Sequence, residues 1–379
     1  LHNIFFLYWN CNMKCFFSII YLSFSISVFS QNLDLKKLES IINEYERFKA
    51  FDKEKYPLGD LSEDRFKNEY NFFMQIRNRL SKISLKNLSE NEKISYELLV
   101  FIIENQINNY NFNTRYNPIL SDSGFHNSII YIVRNLKNKK DAIRYLKLLK
   151  AIPLYVDQNI YLIQKGINEG ISQPKIIFKG YESSYNKHIT VDYNDNYYYT
   201  PFLNLPDNIS SKIKDSLTKE AQKIINRSVI PSFKKIKSFF EKNYFPFTRN
   251  NISISSTPNG IEYYKNRIKF YTTLELTASE IHEIGLKEVK KIRNEMKQII
   301  KSLNYGKDFK SFLNYLRTDK KFYAKTPREL LMIARDISKR LDEKLPEFFK
   351  TLPRKPYGVA AVPDAIAPKY TGGRYIPAS

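Results

Sequence analysis

Apolar residues recur along most of this chain at intervals of three and four, the spacing of one face of an α-helix. Two Ser/Thr-x-x-Glu sequences, Ser89 to Glu92 and Thr277 to Glu280, predict helix N-termini, because each pair of side chains can satisfy backbone N–H groups reciprocally. The clearest pattern predicts a helix from Ala278 to Leu303. Its apolar stripe consists of Ile281, Ile284, Val289, Ile292, Met296, Ile299 and Leu303. The predicted fold is mainly α: a multi-helix array with long irregular loops and few or no strands.

Prolines and a tyrosine-rich stretch interrupt this pattern. One helix is predicted from Lys140 to Pro153 and another from Leu154 to Gly166, and Pro231 predicts a kink or break in the helix that follows Asp207. Residues 175–206 lose the helical spacing and are predicted to form a long surface excursion or a short hairpin. The resulting organisation is a helical region over 31–174, the irregular excursion over 175–206, and a second helical region over 207–379.

The first 30 residues have the form of a secretory signal peptide. A start at Met13 is followed by Lys14, an apolar run and the polar Gln31. The run is short for a membrane span, which needs about 20 residues, although an uncleaved anchor is the alternative. The prediction is an exported protein, periplasmic or secreted, with no stable membrane span once residues 1–30 are removed.

Composition narrows the chemistry available to the rest of the chain. Both cysteines, Cys11 and Cys15, lie in the leader, so the body has neither a disulfide framework nor a thiolate metal site. The 61 Lys and Arg residues exceed the 39 Asp and Glu residues, giving a net charge of +22. The basic residues are dispersed beside acidic ones along helical segments, which favours solvated helix faces over a nucleic-acid surface.

Several short sequences in the last third carry a resemblance to a known family. They are Pro258-Asn259-Gly260, the helix start Thr277 to Leu286, Leu316-Arg317-Thr318-Asp319, Pro356 to Val359, and Thr371 to Ser379. In this order they resemble the bacterial family called domain of unknown function 885, whose members resemble zinc metallopeptidases of the gluzincin type. The resemblance implies a peptide substrate, zinc as cofactor of the full-length family, and an HExxPGH motif beyond the last segment found here. On this reading the chain is the N-terminal part of such a protein, incomplete at its C-terminus.

The zinc motif itself is absent from the sequence. His282-Glu283 begins like the motif, but Leu286 occupies the position one helical turn later where a second His ligand is required. The other histidines beyond the leader, His126 and His188, are far apart and are predicted to lie in loops, His126 as a surface or capping residue. No metal ligand is therefore assigned, and this chain is predicted to hold no cofactor.

Two groups of residues remain as candidates for a substrate cleft. His282 and Glu283 either face the cleft or are ordinary residues of a helix face. Arg374 could hold a carboxylate and Tyr375 could donate to an oxyanion, while Gly372 and Gly373 could let a substrate approach the backbone. An ordinary turn with an exposed Arg is the alternative for that segment.

The sequence leads to two functional hypotheses. The first is the N-terminal part of an exported zinc metallopeptidase-like protein, inactive as this chain alone. The alternative is a non-enzymatic periplasmic helical binding module that uses the loop from Tyr193 to Tyr199 as its contact surface. If the remaining part of the enzyme completes the core, this chain should expose a large apolar patch.

Overall fold

The computed structural model describes residues 33–120, 123–364, 367 and 372–376. Across these residues the secondary structure is helical, with no strand and with two isolated bridges, Ile119 to Gly124 and Pro174 to Arg249. The mainly α prediction is confirmed. The proposed signal peptide, residues 1–30, lies outside the described residues.

Thirteen helical segments in the described residues serve as landmarks. They are α1 (33–47), α2 (Glu63–Leu80), α3 (Glu90–Asn111), α4 (Phe125–Ser128), α5 (Lys139–Asn168), α6 (Ser183–Asn186), α7 (Thr200–Leu203), α8 (Ser211–Ile224), α9 (Ile230–Phe239), α10 (Gly260–Thr272), α11 (Ala278–Ser302), α12 (Phe309–Thr318) and α13 (Pro327–Phe348). The chain divides into two compact units, Leu1–Thr273 and Leu274–Ser379, with the division between α10 and α11.

The first three helices bury their apolar stripes against one another. Leu38 and Ile41 of α1 share a small core with Phe73 and Ile76 of α2 and with Ile103 of α3. The predicted capping box at the start of α3 is confirmed: the Glu92 N–H donates to Ser89 Oγ, and the Ser89 N–H donates to Glu92 Oε2 at 2.7 Å.

Helix α5 is the central element of the larger core in the first unit. It runs without interruption through Pro153, so the prediction of two helices meeting there is wrong. Its buried face, which includes Tyr145, Leu149, Ile152 and Val156, packs against α8 and α9. Burial of this long face outweighs the one backbone hydrogen bond that Pro153 cannot make.

Helices α8 and α9 form one continuous helical segment in spite of Pro231. A π-helical stretch, Ile225–Val229, lies immediately before the start of α9, and a second one, Phe240–Tyr244, follows its end. The wider π turn relieves the clash that a proline ring causes with the carbonyl four residues earlier. Of the predicted kink or break at Pro231, the break does not occur, because the helical segment continues there with a local change of pitch.

Residues 175–206 are irregular, as predicted, but they are not a surface excursion. Phe178, Tyr185, Tyr198, Tyr199 and Phe202 are buried in the larger core. The Tyr145 hydroxyl of α5 donates to the Tyr198 carbonyl at 2.8 Å, which fixes the segment to the central helix. Tyr198 and Tyr199 are therefore not available as the contact surface that the binding-module hypothesis required.

A charged cluster ties the N-terminal helices to α5. Glu63 accepts from Lys165 Nζ at 3.1 Å and from Arg115 Nε at 3.4 Å, and the Arg115 guanidinium lies over the rings of Tyr110 and Tyr116. Desolvation raises the pKa of Glu63, but the hydrogen bond from Lys165 and its other partners outweigh this, so the net shift is downward. Glu63 is therefore a charged structural residue near neutral pH.

The second unit has helices but almost no buried interior. Within its described residues, 274–364, 367 and 372–376, Ile300 is the one buried hydrophobic residue. Hydrogen bonds within the unit place residues 357–359 along α13: Tyr357 Oη donates to the Ser338 carbonyl and Arg335 Nε donates to the Val359 carbonyl.

Candidate functional site

The N-terminus of α11 carries the first pair of predicted cleft residues. Its capping box is confirmed, because Thr277 Oγ1 accepts from the Glu280 N–H at 3.2 Å and the Thr277 N–H donates to Glu280 Oε2 at 2.8 Å. The backbone and side-chain hydrogen bonds from Thr277 lower the pKa of Glu280. The capping box therefore fixes the N-cap of α11 at Thr277, five residues before His282.

His282 and Glu283 are both exposed on α11. Leu286 lies one turn after His282, so this helix offers zinc one imidazole where the gluzincin arrangement needs two on the same face. Nowhere in the described residues do three or more His, Cys, Asp or Glu side chains gather closely enough to hold a metal ion. Helix α11 by itself therefore lacks the paired imidazoles that the gluzincin arrangement requires.

The second pair of predicted residues lies in the irregular C-terminal segment. Gly372, Gly373, Arg374 and Tyr375 are all exposed, and a Cβ atom built on either glycine would meet nothing within 4 Å. The expected close approach of a ligand to the glycine backbone stays a prediction, as do the roles of Arg374 and Tyr375.

Among the described helices, none is both long and apolar enough to cross a membrane.

Sequence reasoning missed a buried histidine in the first unit. His126, predicted at the surface, is fully buried, and its Nε2 lies 2.9 Å from Ser184 Oγ. The Ser184 hydroxyl donates its proton to the Tyr181 carbonyl at 2.6 Å, so Nε2 of His126 must be the donor in the first contact. The proton is thus on Nε2, which leaves Nδ1 an acceptor with no hydrogen-bond partner in the described structure.

A second buried histidine lies in the same core. His188 packs against Phe233, with ring centroids 4.6 Å apart, and against Tyr198 at 5.3 Å. Neither ring nitrogen of His188 has a hydrogen-bond partner within the described part of the chain. Burial, with a smaller contribution from the charge of Lys187, lowers the pKa of both His126 and His188 to about 3.

These two histidines are neutral and inaccessible, so they cannot act on a substrate. No sequence signal distinguishes them, because His126 follows a Gly-containing loop and His188 lies among polar residues. Their burial follows from the folding of residues 175–206 into the core, which local spacing did not predict. Their effect is on stability.

The apolar stripe of α11 is exposed along most of its length. Val289, Ile292, Met296, Ile299 and Leu303 retain between 39% and 62% of their side-chain exposure. Helix α13 repeats this feature with Leu330, Ile333, Ile337, Leu341 and Phe348. Contiguous apolar faces of this kind mark interaction surfaces in soluble proteins.

Comparison with solved structures identifies the fold. The chain is similar to a protein described as a "putative lipoprotein" from Colwellia psychrerythraea, with a TM-score of 0.68 and 16% sequence identity. The match covers 93% of this chain and 63% of that protein. The chain therefore spans less than two thirds of the length of its structural neighbour, and more than a third of the neighbour has no counterpart here.

Comparison with curated proteins and with family models gives contrasting results. No curated protein matches the chain. A family model does match, over residues 48–379, and it describes bacterial proteins of unknown function. Because this match covers most of the sequence, the chain belongs to the DUF885 family of bacterial proteins.

Proposed function

We propose that this chain is the N-terminal, non-catalytic part of an exported zinc metallopeptidase-like protein. The proposal rests on one combined observation: the chain matches the family, but α11 lacks the second histidine that a zinc site requires. The match extends to residue 379, yet His282 is followed one turn later by Leu286. A protein with the family's peptidase resemblance therefore needs histidine ligands from residues that this chain does not contain.

Within such a protein, the exposed candidates supply contacts to a peptide and not to a metal. Arg374 is suited to hold a substrate carboxylate through two parallel hydrogen bonds. Tyr375 is suited to donate to the oxyanion that forms when a peptide carbonyl is attacked. His282 and Glu283, on the first exposed turns of α11, offer a hydrogen-bonding edge and a negative charge to the same substrate.

Export is proposed on two grounds. The leader has the charged, apolar and polar parts of a signal peptide. The structural neighbour is described as a "putative lipoprotein", and lipoproteins are a class of protein carried across the inner membrane. Fusing residues 1–40 to a reporter that is active only outside the cytoplasm tests this, and a reporter that stays inactive contradicts it.

Zinc binding and peptide hydrolysis of the purified 379-residue chain test the central proposal. We expect no peptide turnover with added zinc and no zinc retained after dialysis. The His282→Ala variant is the control for adventitious metal, since any weak zinc lost in this variant identifies binding at a single imidazole. One tightly retained zinc per chain, together with turnover that His282→Ala abolishes, overturns the proposal.

A further inference from the structure

One side of α11 has the spacing of a coiled-coil seam. Gly285, Val289, Ile292, Met296, Ile299 and Leu303 follow one another at alternating intervals of four and three residues. This spacing keeps a straight line of side chains facing one helix laid alongside, whereas a helix buried on a broad core shows a wider stripe. The seam is exposed along its length, and no described helix of the second unit covers it.

Gly285 leaves room for a second helix to pack closely against α11. It lies inside α11, where glycine costs about 1 kcal/mol relative to alanine. A Cβ atom added at Gly285 would meet nothing within 4 Å, so no contact in the described structure requires the glycine. A small residue on a helix seam lets a second backbone approach closely. The glycine at this position would therefore allow close packing by a helix that covers the seam.

The two edges of the seam differ in what surrounds them, and this difference restricts where a covering helix can lie and which charges it carries. On one edge Arg293 lies over the Phe309 ring of α12 at 4.1 Å, and Ile300 is buried, so α12 occupies that side. The other edge carries Glu288 and Glu295, and both are exposed. A helix docked there would place Lys or Arg beside these carboxylates, as edge positions of coiled coils do.

We propose that the α11 seam is covered by an amphipathic helix from the part of the family fold that this chain does not span. The structural neighbour matches 93% of this chain but contains more than a third of its own length in addition. That additional polypeptide is the source from which we derive the covering helix. The proposal does not depend on zinc or on peptidase activity, so it can hold where the proposed function fails.

The coordinates of the Colwellia psychrerythraea protein provide the first test. The solvent-exposed area of the positions equivalent to Val289, Ile292 and Ile299 is measured with and without the residues that have no counterpart in this chain. We expect these positions to be buried, and to become exposed when the unmatched residues are removed. Positions that are solvent-exposed there, or covered by matched residues or by a second copy of that protein, overturn the proposal.

Cysteine labelling of this chain provides the second test. Replacing Cys11 and Cys15 by Ser leaves no thiol, so Ile292→Cys on the seam and Asn294→Cys on the opposite face each give a single reporter. We expect both to react with a maleimide at similar rates, because both positions are exposed.

Labelling at position 292 that is about tenfold slower than at position 294 contradicts an open seam. If the protection grows with protein concentration, a second copy covers the seam. If it is independent of concentration, the chain covers its own seam. Either form of protection overturns the proposal.

Discussion

Helices α5 and α11 are both long and amphipathic, but the apolar face of α5 is buried and that of α11 is exposed. In α5 the apolar face is buried by α8, α9 and the segment 175–206, and Tyr145, Leu149 and Val156 are completely inaccessible. In α11 the corresponding face is open, and Ile292 keeps half of its surface exposed. The contrast extends to the two units, since the first contains two apolar cores and the described part of the second contains one buried hydrophobic residue.

This difference shows what an apolar stripe does and does not specify. The stripe identifies the face of a helix that will be removed from water, because burial is the main source of stability for such a helix. It does not specify whether the covering element lies within the same chain. For α5 the cover is a set of aromatic residues from the same unit, and for α11 we infer that it is a helix which the chain does not contain.

The largest expected difference between the units comes from truncating one apolar side chain in each. Phe240 is fully buried, with its ring between 5.2 and 6.2 Å from those of His126, Tyr181, Tyr185 and Phe125. We expect Phe240→Ala to lower the free energy of unfolding of the first unit by about 3–5 kcal/mol. The matched change Ile292→Ala on α11 should alter stability by about 0.5 kcal/mol or less. Urea unfolding followed by circular dichroism measures both free energies. Equal losses of stability in the two variants would contradict the difference in burial between the two units.

Acid should weaken the first unit selectively. His126 and His188 have a folded-state pKa of about 3, below the unfolded value of about 6.5. The unfolded chain therefore binds more protons, so the stability from these neutral histidines is complete above pH 6.5 and is lost progressively as the pH falls towards 3. At pH 5 the loss is about 2 kcal/mol for each histidine.

Urea midpoints of the first unit at pH 7.5 and pH 5 measure this effect. A His188→Phe variant should show a smaller loss between the two pH values, because one of the two titrating groups is gone. A parent chain equally stable at both pH values would show that the two histidines are not buried as described.

The sequence predicted the parts of this fold that depend on local spacing and failed where distant segments meet. The capping boxes at Ser89 and Thr277 and the extent of α11 follow from residues within one helical turn or one stripe. The continuity of α5 through Pro153 and the burial of His126 depend on contacts with residues far along the chain. Tertiary packing overrides local propensity at such positions, and no single-sequence pattern records it.

The candidate site was predicted less completely than the fold. His282 and Glu283 were placed correctly on the first turns of α11, because the capping box fixes where that helix starts. The predictions for Arg374 and Tyr375 rest on a family resemblance and on side-chain chemistry, and they stay predictions. Their role depends on what binds beside them, and local sequence carries no information on it.

A glycine in each unit offers a smaller and more specific test. At Gly166 of α5 an added Cβ would lie 2.7 Å from the Tyr116 carbonyl oxygen, which is a backbone atom that cannot move freely. We expect Gly166→Ala to destabilise the first unit by about 1–3 kcal/mol, since overpacking forces the backbone to shift. A lowered thermal midpoint of the first unit is the measurement, and an unchanged midpoint would mean that α5 and the Tyr116 loop are further apart.

The matching change in the second unit should have the opposite sign. At Gly285 of α11 an added Cβ meets nothing, and alanine favours the helix over glycine, so Gly285→Ala should stabilise the second unit by about 0.5–1 kcal/mol. Hydrogen exchange of the α11 amides measures this gain. Faster exchange in the variant would mean that a backbone already lies against Gly285 in the chain on its own. A gain at Gly285 together with a loss at Gly166 would establish that the space beside Gly166 is filled and that the α11 seam is open, because the two substitutions differ only in what surrounds the added methyl group.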